Sequence, residues 1–208
     1  MYKIFEKLPE EKKKRIINAC IKEFSIGGYT NASTNNIVKE AGIAKGTLFG
    51  YFGNKKDLYL YILDYAMEYY IDYMLDRMKV NNPDFFQRIV DWVEMKISIS
   101  TEEPAVYNFF AAAFFNVPEI LKTDIQVRYK KLYEKGYQLS IDGIDLSKFR
   151  DDIDKQKAIE LIMLSLNGIL DKKIESYKVS DDNGYSHRCQ SFQELKEYVD
   201  LLRKVYYK

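Results

Sequence analysis

Apolar residues along this chain recur at three- and four-residue intervals instead of alternating, a period that fits α-helix almost throughout and leaves no convincing strand. Punctuation is sparse, with 10 Gly and 4 Pro in 208 residues, so the breaks between helices can be placed. A first helix is predicted from Pro9, with Glu10 and Glu11 in its first turn, burying Ile17, Cys20, Ile21 and Phe24 and stopping at Gly27 and Gly28. Ser33 is a good N-cap for a short helix over 34–41, and Gly42 ends it where a tight turn needs a positive φ. A second short helix covers 45–51. Asn54 then caps a long helix to about residue 79, whose apolar face runs through Leu58, Ile62, Tyr65, Ala66, Tyr69 and Tyr73. Beyond Asn81, Asn82 and Pro83 the pattern predicts helices at 84–100, 104–115 and 118–140, then a polar loop over 140–154. Helices at 155–177 and 192–207 follow, separated by the turn-rich stretch SDDNGYSHRCQ, for an all-α chain of about nine helices.

Composition sharpens this picture in two places. The net charge of +1 hides an asymmetry: residues 1–60 carry 11 Lys/Arg against 6 Asp/Glu, and the remainder 21 against 25. A cationic head on a mildly acidic body suits a polyanionic partner at one end. The two cysteines, Cys20 and Cys189, have no CxxC or Cys/His spacing around them, so neither a disulfide framework nor a metal site is expected. The start lacks the apolar core of a signal peptide, and no apolar stretch reaches membrane-spanning length, which points to a cytoplasmic protein with no membrane partner.

The chemistry lies in the segment STNNIVKEAGIAKGTLFGYFGNKKDL. Two short helices joined by a glycine turn, behind a supporting helix and a basic terminus, form the layout of a helix-turn-helix, whose second helix enters the major groove. Ile37, Val38, Ala41, Ile43, Leu48 and Phe52 would pack inward, leaving Thr34, Asn35, Lys45, Gly46, Thr47, Phe49, Gly50 and Tyr51 outward.

This segment closely resembles the DNA-binding region of the TetR family. The matching residues are Ser33, Ile37, Ala41, Gly42, Ile43, Gly46, Thr47, Leu48, Tyr51, Phe52, Lys55 or Lys56, and Leu58, within a likeness covering about residues 9–65. The resemblance implies an N-terminal three-helix DNA-binding domain over 1–54, joined through a long helix to a helical effector-binding and dimerisation domain over 55–208. It also implies phosphate contacts for Thr34, Thr47, Tyr51 and Lys55, and groove-facing roles for Asn35, Lys45 and Gly46. The chemistry agrees: hydroxyls and Lys bind phosphate oxygens, Lys45 can donate to guanine, Asn35 can pair with adenine, and Gly46 admits close backbone approach. Three positions depart from the family pattern. Phe49 replaces a usual Tyr, exchanging a phosphate hydrogen bond for apolar contact with a thymine methyl or sugar; Gly50 replaces a larger residue; Ala44 replaces a usual Ser cap.

Residues 61–208 resemble the family only in helical layout. By that analogy Leu161, Leu164 and Gly168 of one helix, with Leu195, Tyr198, Leu202 and Val205 of the last, would form a four-helix dimer interface. Tyr69, Tyr73, Trp92, Met95, Tyr107, Phe110, Phe114 and Met163 are candidates to line a cavity for a small apolar or aromatic effector, although such stripes also build ordinary cores. The function expected is a homodimeric repressor of a palindromic operator in double-stranded DNA, released by the effector, with no cofactor. A helical small-molecule carrier without specific DNA binding is the alternative. An enzyme is disfavoured, because the lone His187 lies in a polar turn without a nucleophile or carboxylate partner, and GIAKGT lacks the residue order of a phosphate loop.

Overall fold

In the computed structural model the described residues are 2–77, 82–115, 117–176 and 185–208, without the side chains of 111, 115, 170–176 and 185–192. Their α-helices, in chain order, are α1 Lys3–Glu6, α2 Glu10–Asn31, α3 Thr34–Ala41, α4 Lys45–Phe52, α5 Lys55–Arg77, α6 Phe85–Glu102, α7 Pro104–Phe115, α8 Lys122–Ile141, α9 Lys155–Ser176 and α10 Tyr185–Tyr206. Among the described residues the only β-type pairing is an isolated antiparallel bridge between Phe149 and Tyr207, so the all-α reading holds. The chain divides into two compact units, one of residues 1–73 and 99–136, the other of 74–98 and 137–208.

The first unit is built on α2. Its apolar stripe buries Ile17, Cys20, Ile21 and Phe24 as the spacing predicts, and Phe24 meets Tyr59 of α5 and Phe109 of α7 at ring-centroid distances of 4.8 and 5.9 Å. Burying one such ring contributes about 1.5–3 kcal/mol, so this cluster is a main tie between the three helices. Gly28 breaks the helix with φ 55° and ψ −159°, and one further turn to Asn31 follows. At Gly27 a Cβ would lie 2.7 Å from the Ala32 backbone nitrogen, which is why the chain needs glycine where it doubles back. Arg128 of α8 grips Asp64 of α5 through two bonds of 2.7 Å, and Lys56 pairs with Asp124 at 2.8 Å.

The second unit packs Phe85, Phe86, Ile159, Ile162, Leu166, Leu195 and Val199 around Phe149. Phe149 lies in the segment expected to be a polar loop, yet it is fully buried, and Tyr207 stacks its edge on Phe149 and Phe86 at 4.9 and 4.8 Å. Arg88 is only 2% exposed; its guanidinium donates to the carbonyl oxygens of Asn82, Leu139 and Asp142, which satisfies a buried charge and closes the end of α8.

Several elements differ from expectation, beginning with α2, which runs past Gly27 and Gly28 to Asn31. The helix foreseen from 118 opens with a 3-10 turn, Glu119–Leu121, before α8 begins at Lys122. The last helix begins at Tyr185, not 192, so His187 stands on helical backbone; its side chain and that of Cys189 lie outside the described residues, as do 78, 79 and 177 at the ends foreseen for two other helices. The four-residue α1 has no counterpart in the predicted elements.

Candidate nucleic-acid interface

α3 is held at both ends by α2. Ser33 accepts from the Asn36 amide at 3.4 Å, its own amide donates to Glu23 at 2.7 Å, and the Asn36 side chain donates to both Glu23 oxygens at 3.3 Å. At the other end Arg15 Nε donates to the Ala41 carbonyl at 2.8 Å. Gly42 takes the left-handed conformation foreseen, φ 61° and ψ 43°, and the Ile43 amide returns to Val38 while that of Gly42 returns to Lys39. These two bonds form a Schellman motif, which stops α3 and turns the chain into α4 within three residues.

Inward packing follows the expected set: Ile37, Ala41 and Leu48 are fully buried, Phe52 nearly so, and Val38 and Ile43 pack against the same core. Ala44 caps α4 without a side-chain bond, and its carbonyl accepts from Thr47 and Leu48. The amides of Lys45 and Gly46 precede the first helical bonds and so remain available to an anion.

Of the residues expected to meet DNA, Asn35, Lys45 and Gly46 are exposed, and Lys45 forms no ion pair among the described residues. Thr34, Thr47, Phe49 and Tyr51 are half-buried, with the Tyr51 ring 5.7 Å from that of Phe5. Lys55 is placed differently from a free phosphate ligand. Its ammonium donates to the carbonyls of Ala32 at 2.6 Å and Thr30 at 3.2 Å and sits 5.2 Å from the Tyr29 ring, so two of its donors are committed to the turn after α2. Burial lowers its pKa. The contribution of Phe5 and Tyr2 beside α4 escaped sequence reasoning, since one short amphipathic turn carries no periodic signal.

The eight aromatic and Met candidates for an effector cavity divide between the units. Tyr69, Tyr73, Tyr107, Phe110 and Phe114 belong to the first, where Phe110 stacks on Tyr70 at 5.0 Å, Phe114 meets Tyr129, and Tyr69 donates to Glu103. Trp92, Met95 and Met163 belong to the second; Met95 is buried, and Lys96 lies 5.5 Å from the Trp92 ring.

Among the dimer candidates Leu161, Leu164, Gly168, Tyr198 and Val205 are exposed, joined by Leu201. Leu195 is not on this face: it is 2% exposed, packed with Val199 inside its own unit, and Leu202 is half-buried against the same core. Helical spacing explains the difference, because 195, 199 and 202 share one side of α10 while 198, 201 and 205 share another.

Two braced short helices, a left-handed glycine between them, and an outward second helix bearing a lysine and exposed amides define a helix-turn-helix DNA-binding protein. The family model described as "Bacterial regulatory proteins, tetR family" matches residues 16–62. The chain is 23% identical over 174 residues to the fatty acid metabolism regulator protein of Bacillus subtilis, covering 80% of this chain and 84% of that one. It is 26% identical over 156 residues to the transcriptional regulator RutR of Escherichia coli, covering 74% and 71%. The fold superposes on the fatty acid degradation regulator FadR of Bacillus halodurans with a TM-score of 0.62 at 20% identity, covering 88% of this chain and 96% of that one. Residues 16–62 thus carry the DNA-binding domain of the tetR family of bacterial regulatory proteins, and most of the chain is similar to regulators of that kind.

Proposed function

We propose that the protein is a homodimeric repressor that grips a palindromic operator and releases it when a small apolar or aromatic molecule binds. The observation that carries this reading is the outward face of α4, where exposed Lys45 stands beside the unbonded amides of its first turn. Lys45, Asn35 and Gly46 read base edges; Thr34, Thr47, Tyr51 and the remaining donor of Lys55 hold phosphates; Phe49 meets a sugar or a thymine methyl. DNA binding is assigned to residues 1–54, effector binding and pairing to 55–208.

The exposed leucines of α9 and the exposed apolar residues of α10 support pairing, since large apolar side chains left in water along a helix suit an interface. Pairing presents two α4 helices to half-sites about 34–36 Å apart, where one short helix alone binds weakly. The effector acts by preferring the conformation unsuited to DNA, and the fatty-acid regulators among the relatives support an apolar one. The protein acts by binding, in the cytoplasm, and among the described residues no helix is long and apolar enough to cross a membrane. A carrier devoid of DNA binding is not favoured, because α3 is braced at both ends on α2 and its left-handed glycine leads directly into α4. Selection of bound duplexes from a random pool tests the proposal: a two-fold symmetric consensus is expected, and recovery of unselected sequence would refute it.

A further inference from the structure

α4 is a weak helix by its own composition. It has eight residues, no side-chain cap and glycines at 46 and 50, and glycine ranks next to proline as the poorest helix former. Isolated helices below about 12–15 residues are marginal in water. Something outside α4 must hold its last turn.

The residues before α2 meet that need. Phe5 of α1 is fully buried, with ring centroids 5.7 Å from Tyr51, 4.7 Å from Phe52 and 5.4 Å from Tyr61. Tyr2 adds contacts to Phe52 at 5.7 Å and Tyr61 at 4.7 Å, and its hydroxyl donates to the Asp57 carbonyl. The Tyr61 hydroxyl in turn donates to the carboxylate of Glu6, tying α1 to α5. Burial, followed by that bond to the negative Glu6, pushes the Tyr61 phenol above its ordinary range.

We infer that α1 is a clamp that positions the recognition helix: Phe5 wedges against Tyr51 and Phe52 and fixes the angle at which α4 leaves the core. The inference rests on the DNA-binding reading for its consequence, not for its geometry. Phe5 touches no DNA in this account; it acts through Tyr51, so it is a positioning residue.

Amide hydrogen exchange and duplex binding of the full chain test it together, the probe being a duplex selected from a random pool. In Phe5→Ala, exchange over 49–53 is expected to accelerate about tenfold or more, equivalent to 1.4 kcal/mol, while α2 and α5 keep their protection. Affinity for the duplex should fall by a similar factor with an unchanged salt slope, because no Lys or Arg contact to phosphate is lost. Phe5→Leu should restore most of both. The milder Tyr61→Phe, which removes only the tie to Glu6, should show the same changes at severalfold size and without risk to folding. Unchanged exchange over 49–53 in both variants overturns the clamp, as does equal loss of protection across α2 and α5, or a salt slope lowered by about 0.9. A wild-type chain that binds no duplex would sink the DNA-binding reading and leave the exchange comparison to judge the clamp.

Discussion

Replacing Lys55 with Met separates two jobs that one ammonium performs. The substitution keeps an unbranched stem over the Tyr29 ring and removes the charge that binds the Ala32 carbonyl at 2.6 Å and the Thr30 carbonyl at 3.2 Å. A hydrogen bond to a charged group contributes about 1.5–3 kcal/mol, and a cation over an aromatic ring about 0.5–1 kcal/mol at an exposed site. Lys55 is only half-buried, so water replaces much of what is lost, and the net cost should be about 1–2 kcal/mol. For a chain of this size each kcal/mol moves the melting temperature by about 2–4 °C, so circular dichroism should record a fall of about 2–8 °C. Two donors are spent on carbonyls, and the third is the one assigned to phosphate, so the logarithmic salt slope of duplex binding should drop by about 0.9. An unchanged melting temperature would refute the bracing role. A lowered melting temperature with an unchanged slope would refute the phosphate contact and leave Lys55 a brace alone.

Other substitutions probe separate parts. Lys45→Ala should leave melting within about 0.5 kcal/mol of wild type, since Lys45 is exposed and forms no ion pair among the described residues, yet relax preference at one base pair by about 1–3 kcal/mol in competition binding. Leu164→Glu, placing charge on a side chain 59% exposed on α9, should convert dimer to monomer in sedimentation without lowering helicity. Asp84 is buried enough to push its carboxyl up, but the Gln87 amide, Lys148 and Arg203 outweigh this and hold it below the ordinary range. A carboxyl depressed in the folded state contributes stability that is present above its unfolded value and lost as pH falls through the folded one. Asp84→Asn should therefore flatten the loss of stability expected below about pH 4, which melting measured across an acid titration would read.

What could be read in advance follows from how local its cause is. Ser33, Gly42 and the stripe Ile37, Ala41, Leu48 and Phe52 are decided by capping, positive φ and helical period, all visible in a short window, and the reading head was placed from them. α1 was invisible because its single buried ring is stabilised by Tyr51, Phe52 and Tyr61, residues far along the chain. The start of α10 was missed because Asn, Gly and Ser near 180–187 signal a turn, and nothing local announces that helix resumes at Tyr185. Phe149 looked like part of a polar loop because its neighbours are polar; its burial depends on Tyr207 and Phe86. In sequence Lys55 reads only as a phosphate ligand, and only geometry shows the carbonyls it meets. Leu195 packs inside its own unit, away from the exposed side of α10, for a related reason: a helix apolar on two sides does not declare which side faces home.

The central claim is that α4 is offered to the major groove twice in each assembly. Duplex affinity measured across a series of salt concentrations, with the bound mass determined alongside, tests it most directly. Two protomers per duplex and a steep logarithmic fall in affinity, roughly 0.9 for each phosphate neutralised, are the predicted result. Retention of no duplex at low salt, or a flat dependence with one protomer bound, would contradict it.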